Sequence, residues 1–63
     1  MELRIKKILL DGIEHCDIHN DSLLQTLKEY VGDADWDGVI STVEDIDTLS
    51  KERKILLRQL GNL

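Results

Sequence analysis

Within the segment DADWDGVISTVE, carboxylates stand at alternate positions in Asp33, Asp35 and Asp37, Gly38 follows at once, and Glu44 lies further along. Calcium takes six to eight oxygen ligands, and this spacing could gather them. Three aspartates would converge, and Glu44 would close the shell with both oxygens. Gly38 would permit the sharp bend. The same residues also fit a helix start, with Asp33 or Asp35 as cap and the other acids in the first turn, where negative charge complements the macrodipole. Gly38 counts against that second reading, because glycine inside a helix costs about 1 kcal/mol relative to alanine unless a tertiary contact offsets it. The two readings differ in backbone: a turn at Asp37 and Gly38, or continuous helix from Trp36.

A second constellation is HCDIH, with His15, Cys16 and His19. Two histidines four apart on a helix could share a transition metal, with Cys16 or Asp17 as a further ligand. Cys16, however, falls on the apolar stripe described next, which places its thiol in the core between two solvated imidazoles. It is the only cysteine, so no disulfide can form within the chain. No glycine-rich phosphate loop is present, and a core of this size offers little to orient a substrate, so the sequence predicts a protein that is not an enzyme.

The elements that carry these residues read as helices. There is no proline and no Phe, Trp and Tyr occur once each, and a third of the residues are charged, a composition that favours an all-α fold. Apolar residues at Ile5, Ile8, Leu9, Ile13 and Cys16 recur at helical spacing, and Leu23, Leu27 and Tyr30 continue the stripe past Asn20. A helix is predicted over about 2–31, with a break at 17–22 as the alternative, since Ser22 and Gln25 fit a capping box. Gly32 ends this helix as a left-handed stop, and a turn follows over 32–35. A second helix over about 36–60 carries Trp36, Val39, Ile40, Val43, Ile46, Leu49, Leu56, Leu57 and Leu60, with Gly61 as its stop. Asp47 and Lys51 add a favourable pair four residues apart.

Residues 1–63 thus form one helical domain, an antiparallel hairpin whose helices run roughly 40 Å each. A hairpin has one seam, yet Ile55, Leu56 and Leu57 in succession spread apolar surface beyond it. Leu49, Leu56, Leu57 and Leu60 are therefore the predicted partner-binding surface, and the expected assembly is a homodimer forming a four-helix bundle or a groove for another protein's helix. The alternative fold is three short helices around a calcium loop. No apolar run reaches the roughly 20 residues of a membrane span, and the N-terminal stretch breaks into charge too soon for a secretory signal, which predicts a soluble cytoplasmic chain without membrane contact. The net charge of −5 disfavours direct nucleic-acid binding and favours a protein partner. Between Ile8 and Ser50 there are eleven acidic residues and one basic, Lys28, while both ends are basic. The acidic middle also suits an inhibitor that imitates nucleic acid in a basic groove.

Two family resemblances follow from these residues. Asp33, Asp35, Asp37, Gly38 and Glu44 resemble the EF-hand loop, which implies calcium as cofactor with the Val39 carbonyl and Ser41 as further ligands, although the flanking positions, Gly32 and Asp45, lack the large apolar residues usual there. The segment GDADWDGVISTVEDIDTLSKERKILLRQL resembles the turn and second helix of flagellar export chaperones of the FliT and FlgN type, through Gly32, Asp35, Trp36, Val39, Ile40, Arg53, Leu56, Leu57 and Leu60. That resemblance implies a helical adaptor or chaperone-like regulator that holds a segment of another protein and performs no catalysis.

Overall fold

A computed structural model describes residues 2–63 as two helices, α1 over Glu2–Gly32 and α2 over Trp36–Gly61, packed along their length. The fold is an all-α antiparallel hairpin. Its Cα envelope measures 49 × 15 × 10 Å, with a radius of gyration of 14.7 Å, against about 11 Å for a compact chain of this length.

The seam follows a heptad, with alternating steps of three and four that keep one stripe of each helix facing the other. On α1 it runs through Leu9, Ile13, Cys16, Asn20, Leu23, Leu27 and Tyr30, and on α2 through Val39, Thr42, Ile46, Leu49, Arg53, Leu56 and Leu60. Only Leu9, Ile13, Cys16, Thr42 and Leu49 are buried; the other seam residues are half-buried. Thr42 is tolerated there because its hydroxyl donates to the Gly38 carbonyl at 2.8 Å.

The segment 17–22 is unbroken helix. The capping-box alternative loses because Asn20 keeps the seam in step and Asp17 is held from α2, where the Arg53 Nε donates to its Oδ1 at 2.8 Å. Instead of capping a new helix, Ser22 offers its carbonyl to the Thr26 hydroxyl at 3.1 Å.

The turn differs from the expectation at Gly32. That residue is the last of α1, and the left-handed position falls on Ala34, with φ of 54°. The Asp35 N–H reaches back to the Tyr30 carbonyl at 2.9 Å and the Ala34 N–H to the Val31 carbonyl at 3.1 Å. This pair of bonds is the Schellman closure, which fixes the left-handed residue one step past the helix cap; counting from the bonds, that step is Ala34 and not Gly32. The second glycine stop also shifts, since Gly61 is helical and Asn62 caps α2 with ordinary right-handed angles.

Two glycines explain how closely the helices approach. A Cβ at Gly38 would sit 2.6 to 2.8 Å from the Tyr30 ring, and one at Gly12 would lie 3.2 Å from a Leu56 methyl. Tyr30 and Leu56 thus each lie over a glycine of the opposite helix. Gly38→Ala should destabilise the hairpin by about 1 to 3 kcal/mol in urea unfolding despite its better helix propensity, because the clash is with an aromatic ring close to its own backbone. Ala34→Gly should raise stability by about 1 kcal/mol by relieving the left-handed strain. Gly32→Ala, in open helical space, should be neutral to roughly 0.5 kcal/mol stabilising.

Candidate functional site: an apolar flank beside the seam

At the turn, α2 begins at Trp36, and Asp35 is its cap: the Gly38 N–H donates to the Asp35 Oδ1 at 3.1 Å. This is the N-cap to N3 bond that satisfies one of the orphan donors of a helix start. Asp37 adds its charge to the first turn and Arg58 lies in the last. The Gly38 penalty raised by the sequence has its compensation in the Tyr30 ring, which needs the missing Cβ.

This arrangement scatters the six positions suggested for calcium. Asp33 is in the turn, Asp35 is engaged as a cap, and Asp37, Val39, Ser41 and Glu44 are all helical. Asp37 and Glu44 share a helical face but stand about 10 Å apart along the axis, and the Val39 carbonyl belongs to the helical ladder. Among the described residues no group of three or more His, Cys, Asp or Glu side chains gathers around a common point. His15 and His19 are both exposed, with ring centroids 6.4 Å apart, while Cys16 is buried on the seam away from them.

The predicted partner surface divides in two. Leu49 is buried and Leu56 and Leu60 are half-buried within the hairpin, so their surface is largely used by α1; Leu57 alone is exposed. Leu57 belongs to a longer set that the sequence reading did not isolate. Immediately after the seam, in the heptad e position, α1 carries Leu3, Leu10, Asp17, Leu24 and Val31, and α2 carries Trp36, Val43, Ser50 and Leu57. All seven apolar members are exposed, between 41% and 84%.

In an antiparallel pair of helices the two e stripes lie on the same side, and here a groove shared by Asp17, Ser50 and Arg53 places their central members together. One side of the hairpin is thus an apolar ladder with rungs Leu10–Leu57, Leu24–Val43 and Val31–Trp36, interrupted midway by Asp17 and Ser50. The opposite side carries Ile5, Gly12, His19, Thr26, Gly38, Asp45, Glu52 and Gln59 at the corresponding positions, of which Ile5 is the one large apolar residue. Gly12 and Gly38 are covered there by Leu56 and Tyr30, and His19, Asp45, Thr48 and Glu52 line its groove together with the seam residues Leu23 and Leu49. The signal for the ladder was present as a second seven-residue repeat, offset by one from the first. It was obscured because Asp17 and Ser50 break it on both helices and because scattered Ile8, Ile18, Ile40 and Ile55, also exposed, dilute the contrast.

No helix among the described residues is long and apolar enough to cross a membrane. No family model matches the chain, and no curated protein or solved structure matches it.

The backbone around Asp35 makes a simple forecast. Titrating calcium to millimolar concentration while following Trp36 fluorescence should leave the emission unchanged, because the carboxylates start too far apart to share an ion. A saturable change with heat in calorimetry would mean that the first turns of α2 unwind to form a loop.

Proposed function

We propose that this chain is a small non-enzymatic protein-binding hairpin, an adaptor or regulator that works by presenting the ladder of Leu10, Leu24, Val43 and Leu57 to other helices. Self-association into a homodimeric four-helix bundle is the first use of that surface. The observation that carries the reading is the concentration of exposed apolar side chains on one flank of the seam, seven against Ile5 alone at the corresponding positions of the other flank. Monomeric proteins rarely leave such a patch open, and helices that pack in bundles carry apolar residues at a and d plus e or g.

Surface area supports the same reading. The hairpin exposes 5113 Å², whereas a compact monomer of this mass exposes about 4,100 Å². The excess, about 1,000 Å², is close to what one partner contributes to a standard protein interface. The resemblance of the turn and α2 to flagellar export chaperones agrees with this reading, since it implies a helical adaptor that holds a partner's segment.

Leu24→Asp together with Val43→Asp should abolish association, read as a monomer mass in sedimentation or as loss of partner capture, while helicity persists because neither residue is in the seam. Leu56→Asp should instead unfold the hairpin. Retention of the assembled mass by the Leu24 and Val43 double variant would remove the proposal.

A further inference from the structure

We infer that the occupant of the apolar ladder is a second copy of this chain running in the opposite direction, so that the turn of each hairpin lies against the termini of the other. The inference rests on the self-associating, protein-binding reading of that flank and adds the orientation of the two copies.

The first support is the symmetry of the ladder. A two-fold interface uses the same patch on both copies, so the patch must complement itself. The polar rung of Asp17 and Ser50 stands at the midpoint of α1 and of the hairpin. The Leu10–Leu57 and Leu24–Val43 rungs lie seven residues to either side of it. Turning one copy end over end about this midpoint brings each of these rungs onto the other, and Leu3 onto Val31 of the partner subunit. The polar rung meets itself at the axis, where each Asp17 is already paired with its own Arg53. A charged pair at one central position of an otherwise apolar seam sets register more than it adds stability.

The second support is the distribution of charge. Between Ile18 and Leu49, the half of the hairpin that contains the turn, there are eight acidic residues and one basic. The terminal segments, 1–16 and 51–63, hold seven basic residues and four acidic. Copies aligned turn to turn would crowd two strongly acidic ends within a Debye length of about 10 Å. Opposed copies set each acidic end against a basic one. The apolar ladder permits both orientations, and the charges select the opposed one.

The orientation can be read from a spin label at the turn. Asp33→Cys in a Cys16→Ala background, labelled and measured by double electron-electron resonance, should give a label-to-label distance of roughly 45 Å, twice the axial distance from the midpoint to the turn. A distance below about 25 Å would place the turns together, since helix axes in a bundle lie only 8–10 Å apart; that result would overturn the opposed orientation while leaving self-association standing. A monomer mass for the unlabelled wild-type chain would remove both. If the Cys16→Ala background loses its helicity, the wild-type chain supplies the second reading. Its dimer should loosen several-fold between 20 and about 300 mM salt as attraction between unlike ends is screened, and a dimer that tightens over that range would overturn the proposal.

Discussion

A two-helix layer can bury only one stripe of each helix, and this constraint governs the whole molecule. Among the described residues the α1–α2 seam encloses Leu9, Ile13, Cys16 and Leu49 as its buried apolar side chains, and none of these residues reaches complete burial. A core of this size provides little stability against the chain entropy lost on folding. Everything else in the structure either tightens that seam or waits on its open side. Tyr30 over Gly38 and Leu56 over Gly12 draw the helices together on one flank, and the same asymmetry leaves the other flank as a broad apolar ladder.

The turn shows how local chemistry serves that seam. Asp35 both completes the closure of α1, through its N–H, and caps α2, through its carboxylate. One residue therefore terminates one helix and starts the next. Asp33 and Asp37 flank it as solvated charges, and their alternation, which matches a calcium loop in the sequence, here follows from the separate needs of a helix end, a cap and a first turn. Polar pairs elsewhere contribute less. Lys51 and Asp47 meet at 3.0 Å but are both highly exposed, and such pairs add a few tenths of a kcal/mol. Arg53 and Asp17 are of greater consequence because they tie α1 to α2 at mid-length.

Much of the fold was legible in the residues. The alternation of threes and fours in Leu9, Ile13, Cys16, Leu23, Leu27 and Tyr30 specifies one helical face, and the same pattern from Val39 to Leu60 specifies its partner; with the interruption near Gly32 and the length of the two helices, a hairpin follows. The left-handed residue was not legible: glycine is the usual choice, and only the hydrogen bonds from Ala34 and Asp35 back into α1 show that the position falls two residues after Gly32. The reason for Gly38 was also hidden, because the Tyr30 ring that excludes a Cβ is adjacent only after folding. The surface was half legible. Leu57 could be recognised as surplus, but distinguishing it from Leu49, Leu56 and Leu60 requires knowing which side of α2 faces α1.

If the hairpin completes its core by pairing, folding and association are one equilibrium, and stability must depend on how much protein is present. Thermal unfolding of the wild-type chain followed by circular dichroism over a hundredfold range of concentration tests this most directly. The midpoint should rise steadily with concentration and reach a value well above that of the most dilute sample. A midpoint that stays constant across the range, with a monomer mass at its upper end, would contradict the view that the open flank is half of a shared core.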